Sequence, residues 1–417
     1  MHAIEKILAK AGGQKSVSTG EIISAAIDFA QVNDLYLQTV YSFYEMNGSK
    51  VWDSDKVAFV FDHYAPAPTI QSAQIHREMR EFAKKNGLKY HFDINKGVCH
   101  QVMAEAGLIC PGQVMIATDS HTTTYGAFGA IGTGVGATDM ATALISGELW
   151  MRVPEIIEIR LEGETPAHVY PKDVVLHVLG KMKADGAVYK AIAFTGSYVD
   201  ALDVAGRMVI CNMAVEMGAK TAYMQPNKHS LAYCRERAPH AFHVYETDAG
   251  YVYGESHVFD VCALSPQVAV PSSVDQVCPV ENVAGIAVDQ GFIGTCTGGR
   301  LEDLEIAAGI LRGKTIAPYT RLVVIPASYE ILQEALRRGY IQDMLTAGAT
   351  LSTPGCGPCL GAHQGVITKD EVCITASNRN FPGRMGSEKG NIYLASPATV
   401  AASMLAGRIT DIRVERE

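Results

Sequence analysis

The sequence predicts an α/β protein of layered sheets and helices, and three observations carry that prediction. Short β-branched runs bounded by turn residues alternate with Ala- and Leu-rich stretches of helical period. Polar motifs stand immediately after the β-like runs, as they do where strand ends open into a ligand crevice. The chain has 417 residues, 48% of them hydrophobic. That exceeds the roughly 250 to 300 residues at which one core stops growing, so two to three domains are expected.

In chain order, residues 1–13, MHAIEKILAKAGG, read as a short amphipathic helix. They lack the basic flank and apolar core of a signal peptide, so a cytoplasmic protein is expected. The Val- and Ile-rich runs 57–62, 114–118, 156–161, 321–325 and 372–376 are expected strands. The stretches 173–184, 301–311 and 399–405 are expected helices, closed by Gly186, Gly313 and Gly407, where a C-terminal cap favours φ > 0. Domain limits are expected near 130 and 285, giving units 1–130, 131–285 and 286–417. A loose plan of Gly turn, Asp and Ala-rich helix recurs at 136–144 and 298–311.

Charge and composition exclude several classes. Thirty-five Lys and Arg against forty-four Asp and Glu leave a net charge of -9, with no basic run, which argues against a nucleic-acid partner. An anionic ligand would have to be captured by local arginines against that field. The charge-free stretch 120–138 holds five glycines and lacks the apolar side chains of a membrane span. Ten cysteines are too sparse for a disulfide scaffold and are expected to be reduced.

The motifs Asp62-His63, Asp119-Ser120-His121 and Ser377-Asn378-Arg379 each follow a β-like run, so several sheet edges are expected to converge on one site. Asp62 and His63, neighbours at a strand end, are expected to point apart and take separate partners. Asp119, Ser120 and His121 are consecutive and cannot converge as a hydrolase triad.

Two thiols lie three residues apart in Thr353-Pro-Gly-Cys356-Gly-Pro-Cys359, and Cys296 sits in the glycine-rich Gly294-Thr-Cys296-Thr-Gly-Gly-Arg300. Four readings compete. Cys-Gly-Pro-Cys suits a thiol–disulfide oxidoreductase, but no Trp precedes it and the chain is several times too long. A zinc site needs two further ligands, and the sequence has no second Cys-x-x-Cys. Three buried inert cysteines are the bland reading. In the fourth, Cys296, Cys356 and Cys359 hold an iron–sulfur cluster with one iron open to act as a Lewis acid.

Set together, Phe61-Asp62-His63, Val98-Cys-His100-Gln101, Ala117-Thr-Asp119-Ser120-His121-Thr, Cys211-Asn212-Met-Ala-Val-Glu216, Thr295-Cys296-Thr, Cys356-Gly-Pro-Cys359 and Ser377-Asn378-Arg379-Asn380-Phe-Pro-Gly-Arg384 resemble the aconitase superfamily in order and spacing. From about residue 20 onward the likeness is greatest to the large subunits of the 3-isopropylmalate and homoaconitate dehydratases. The resemblance implies three α/β/α domains around a central cleft and a [4Fe-4S] cluster on Cys296, Cys356 and Cys359 with one open iron. It implies a hydro-lyase that isomerises 2- and 3-isopropylmalate in leucine biosynthesis, with homocitrate or homoaconitate, citrate or a methylated malate as alternatives. It places Asp62, His63, His100, Asp119, His121 and Glu216 in catalysis, with His63 as proton donor to the leaving hydroxyl. Ser120, Asn212, Asn378, Arg379 and Arg384 would bind a small hydroxy-di- or tricarboxylate. A separate small swivel-domain subunit is implied, because no segment matching the swivelling domain of single-chain aconitases follows the last motif.

Two departures bear on the substrate. Where relatives usually place Thr, Pro or Gln after Asn33-Asp34, residues 35–44 are crowded with Tyr36, Tyr41, Phe43 and Tyr44. Gly298 stands where relatives usually have Asn, so an amide near the cluster is expected to be lost.

Overall fold

The computed structural model describes residues 1–414. Most expected elements form. The strands are Val57–Val60, Val114–Ala117, Ile156–Glu162, Arg321–Ile325 and Val372–Thr375. The helix Leu301–Leu311 is followed by Gly313 at φ 70°, and Pro397–Ala406 is capped by Gly407 at φ 68°. The N-terminal helix is Ala3–Ala11, where the His2 ring accepts from the Ile4 amide and Glu5 takes the His2 amide. One cap differs from expectation: Pro171–Met182 stops at Lys183, itself at φ 68°, and not at Gly186. Gly186 is needed there for space, since a Cβ would lie 2.1 Å from the Met182 carbonyl oxygen.

Beside a two-stranded antiparallel pair of Ile22–Ala26 with Glu148–Arg152, three larger sheets carry the chain. The first is parallel throughout, in the order Tyr90–Phe92, Val57–Val60, Phe29–Asn33, Val114–Ala117, Ile131–Gly134. The second, also parallel, runs Thr221–Met224, Ala191–Thr195, Ile156–Glu162, Ser256–Asp260. The third has a parallel body of Asn391–Leu394, Val372–Thr375, Gln290–Gly294, Arg321–Ile325 and Thr350–Leu351. Its edge strands, Gln267–Ala269 and Val277–Pro279, are antiparallel.

Parallel strands covered on both faces are apolar throughout, as in the wholly buried Val57–Val60 and Val114–Ala117. Ile4, Val32, Phe43, Phe59, Phe82 and Met140 fill the core beside the first sheet. Ile293, Leu304, Leu311, Val324 and Met404 fill that beside the third. Each such side chain contributes about 1.5 to 3 kcal/mol on burial, which fixes the strands whose carboxyl ends carry the polar motifs. Among the described residues no helix is long and apolar enough to cross a membrane.

Candidate active site

Adjacent strands of the first sheet deliver the acid–base residues. Phe29–Asn33 lies between Val57–Val60 and Val114–Ala117, so Asp34, Asp62, His63 and Asp119 leave neighbouring strand ends. Asp34, which the sequence analysis did not single out, is fully buried and clamps the next turn. It accepts the His63 amide at 2.9 Å, the Tyr64 amide at 2.8 Å and His76 Nε2–H at 2.9 Å.

Because the strand ends at Val60, alternation no longer governs residues 61–64. His63 Nδ1–H donates to Asp62 Oδ1 at 2.6 Å. That corrects the expectation that the two neighbours point apart. Asp62 Oδ2 also accepts the Cys99 amide at 2.8 Å.

On its other edge His63 Nε2 faces Asp119 Oδ2 at 3.5 Å. Asp119 is a hub: Oδ1 accepts His100 Nε2–H at 3.0 Å and the His121 amide at 2.7 Å. Burial alone would discharge these groups. The charges of Asp62 and Cys356, followed by the hydrogen bonds of Asp119 and Asp62, nevertheless hold His63 well above the ordinary imidazole range. Against the same burial, His100, His121 and His63 hold Asp119 well below the carboxylate range.

Glu216 sits on the tight turn Met213–Met217 that continues the helix Val204–Asn212. It is buried, not an exposed helix charge, and accepts His121 Nε2–H at 2.8 Å and Arg379 Nε–H at 2.7 Å. Those partners hold it below its usual range despite burial. Arg379 Nη2 also donates to Ser120 Oγ at 2.9 Å, joining the third sheet to the first.

The thiols come from the carboxyl ends of the third sheet. Cys296 follows Gln290–Gly294 on the short helix Thr295–Gly298, whose first residue is forced to φ 71°. A β-branched residue in that region is strained by about 1 to 3 kcal/mol, a cost met chiefly at functional sites. Cys356 and Cys359 lie on a turn whose Gly357, at φ 52°, would place a Cβ 2.2 Å from Ile325 Cδ1.

Polar side chains converge on these sulfurs, N–H donors on Cys296 and Cys359 and oxygen acceptors on Cys356 and Cys359. Asn212 Nδ2 and Asn378 Nδ2 lie 3.2 and 3.4 Å from Cys296 Sγ. Asn378 Oδ1 meets Cys359 Sγ at 3.6 Å, and Arg384 Nη2 lies 3.7 Å from the same sulfur. Cys356 Sγ is 3.9 Å from Asp62 Oδ2. Asn212, Asn378 and Arg384, expected at the substrate, therefore stand on the thiols. Asn380 turns away to the Val270 carbonyl at 2.8 Å.

Three thiols, with N–H donors on Cys296 and Cys359, fit a soft thiolate-bound metal cluster, whose charge those donors would stabilise. Burial pushes the Cys296 thiol up to about 12, with the charge of Cys359 next in effect. It pushes Cys356 well above its ordinary value too. A redox nucleophile needs the opposite shift. The Asn expected at position 298 has no room, because a Cβ on Gly298 would lie 2.3 Å from the Ala376 Cβ. Amides from Asn212 and Asn378 serve the Cys296 sulfur instead.

The sequence-derived site residues thus meet in one connected cluster, joined through Asp119, Glu216 and Asn378. The sequence analysis missed Asp34, His76, Cys99, His363 and Lys172. His363 Nε2–H donates to the His63 carbonyl at 2.8 Å. Two groups have ligand atoms within 4.8 Å of one another, Asp62, His63 and Cys356, and Cys99, His100 and Asp119. Among the aromatics of the 35–44 segment, Phe43 is buried against Phe82, whereas Tyr41 and Tyr44 are exposed. Tyr36 alone of them joins Asp119, Ser120, Val135, Val188 and Lys220 around a cavity of about 480 Å³.

Comparison with known proteins agrees with this geometry. The model of the aconitase family (aconitate hydratase) matches residues 5–285 and 280–407. A probable methanogen homoaconitase large subunit from Methanothermobacter thermautotrophicus is 48% identical over 98% of this chain and 97% of its own length. A 3-isopropylmalate dehydratase large subunit from Methanopyrus kandleri is 47% identical over 98% of both chains. The crystal structure of Thermococcus kodakaraensis aconitase X in its holo-form superposes with a TM-score of 0.51 at 14% identity, covering 91% of this chain and 90% of that one. That likeness is one of fold.

Proposed function

The chain belongs to the aconitase family, and on that premise we propose that it is the large catalytic subunit of an iron–sulfur hydro-lyase interconverting 2-isopropylmalate and 3-isopropylmalate. The observation that carries this reading is the placement of His63, hydrogen-bonded to Asp62, facing Asp119 and standing beside Cys356. Cys296, Cys356 and Cys359 would hold a [4Fe-4S] cluster, which supplies a Lewis acid for the departing hydroxyl through one iron without a protein ligand.

The remaining work falls to the chain's own groups. Dehydration removes a hydroxyl and a proton from neighbouring carbons, and hydroxide leaves only if it gains a proton. His63 holds that proton on Nε2, with Asp62 on Nδ1 fixing the ring and stabilising its cationic form. Asp119 faces the same proton at 3.5 Å and steadies His100 and the His121 turn. Arg379 offers a planar guanidinium to a substrate carboxylate, aligned by Glu216 and Ser120, while Arg384 stands on the Cys359 sulfur. Asn212 and Asn378 hold the Cys296 side of the cleft.

The base that takes the carbon-bound proton is proposed to come from a small swivel-domain subunit, a reading supported by relatives that are named large subunits. A three-unit division is retained as a proposal, with its limits moved from about 130 to beyond Arg152 and from about 285 to before Gln267. The reason is that Ile131–Gly134 belongs to the first sheet, Glu148–Arg152 pairs with Ile22–Ala26, and Gln267–Ala269 belongs to the third sheet. A cytoplasmic location is likewise a proposal. A second substrate reading, homocitrate and homoaconitate, is favoured by the 48% identical relative named a homoaconitase. The test is anaerobic reconstitution of the chain with a small subunit encoded by the same organism, followed by ultraviolet detection of the unsaturated intermediate from each substrate. Turnover of isopropylmalate supports the first reading and turnover of homocitrate alone the second. Turnover of neither by a cluster-loaded complex would overturn both.

A further inference from the structure

Lys172 is a buried cation without a role in the chemistry above. Its side chain leaves the first turn of the helix Pro171–Met182, and the residue is 2% exposed. Its ammonium donates to Thr297 Oγ1 at 3.2 Å, the Ala376 carbonyl at 3.1 Å and the Ser377 carbonyl at 2.6 Å. All three acceptors are uncharged. A positive charge at a helix N-terminus is opposed by the helix dipole, and burying it without a carboxylate in contact is costly. Helix stability therefore does not account for it.

The acceptors do. Thr297 follows Cys296 directly, and Ser377 precedes Asn378 and Arg379. Thr297 Oγ1 itself donates to the Ala376 carbonyl at 2.9 Å, closing a small ring of hydrogen bonds between the two turns. Burial pulls the ammonium down to about 8, and the charge of Cys296 is the strongest influence opposing that fall.

We propose that Lys172 is a positioning residue that ties the Cys296 turn to the Asn378–Arg379 turn and sets a positive charge behind the thiolates. One end of the clamp fixes a cluster ligand, and the other fixes the arginine that receives substrate. This rests on the iron–sulfur reading only for the effect of the charge; the clamp itself is a property of the chain.

The test compares Lys172→Met with Lys172→Gln in the full-length chain. In the cluster-free protein, Lys172→Met should speed amide hydrogen exchange about tenfold in peptides covering 295–298 and 376–380 together, leaving 57–60 unchanged. Lys172→Gln keeps a donor and should retain much of that protection. In the reconstituted complex both variants should move the cluster potential to more negative values, since each removes a nearby positive charge. Only Lys172→Met should also raise KM well beyond its effect on kcat. Unchanged exchange at both turns in Lys172→Met would overturn the clamp, and a wild-type potential in both variants would overturn the charge. If Lys172→Met does not fold, Lys172→Gln decides: protected turns with a shifted potential are expected, and an unshifted potential contradicts the proposal. Should the wild type take up no cluster, the iron–sulfur reading fails, while the exchange experiment still decides the clamp.

Discussion

The two halves of the cleft are built on opposite principles. On the first-sheet side, acids and bases satisfy one another: Asp62 with His63, Asp119 with His100, Glu216 with His121 and Arg379. On the third-sheet side, the amides of Asn212 and Asn378, besides bonding Thr124 and each other, and the guanidinium of Arg384 reach sulfur. Neutral thiols are poor acceptors, so the N–H contacts to Cys296 and Cys359 would strengthen if those sulfurs carried negative charge. In the proposed reading the first-sheet half handles protons and the donor-rich half is the cradle.

The largest effect should come from breaking the cradle. Cys356→Ser should leave the fold intact but lower kcat on the order of a thousandfold or more, since Lewis-acid assistance is worth several kcal/mol. Steady-state assay beside circular dichroism checks this, and a variant within a few-fold of wild type would break the division drawn between the halves.

Next, His63→Asn should lower kcat by about 10²- to 10⁴-fold, the usual contribution of a positioned general acid, while leaving iron content unchanged. Loss of iron together with activity would mean that the two halves are not separable.

A smaller effect is expected where they meet. Arg379→Lys keeps the charge but cannot donate at once to Glu216 Oε1, Ser120 Oγ and a substrate carboxylate. We expect KM to rise about tenfold to a hundredfold with a lesser change in kcat, read from full saturation curves.

The smallest is a pH effect on stability. Asp119 and Glu216 are held below their usual ranges, so the stability they contribute is present above the unfolded carboxylate pKa of about 4 and is lost as pH falls through their lowered folded values. His63, raised, contributes below its unfolded value of about 6.5 and loses that contribution as pH rises through its folded value. Melting temperatures of the cluster-free chain should therefore decline on both limbs, and Asp119→Asn should flatten the acid one.

How far this cleft could be read from sequence depended on the range of each interaction. Motifs at strand ends were legible because a β-branched run followed by Asp-His or Asp-Ser-His declares both the strand and the residue that leaves it. Strands 321–325 and helix 301–311 formed where expected. The Asp62–His63 bond was not legible, since it depends on Val60 being the last strand residue and on Asp34 bending the next turn. The clamp on that turn reaches across 42 residues to His76, and Lys172 reaches across 205 to Ser377. Contacts of that separation leave no local pattern. Gly298 marked a real peculiarity, but its cause, the Ala376 side chain, lies 78 positions away and became visible only in the packing.

The central claim is that the donor-rich half is a cluster cradle. It is tested most directly by counting iron and acid-labile sulfide in the anaerobically reconstituted chain, with its visible absorption spectrum. About four of each per chain, with a broad thiolate–iron band that fades in Cys356→Ser, is the expected result. A colourless protein that takes up a single zinc ion, or no metal, under the same conditions would contradict it.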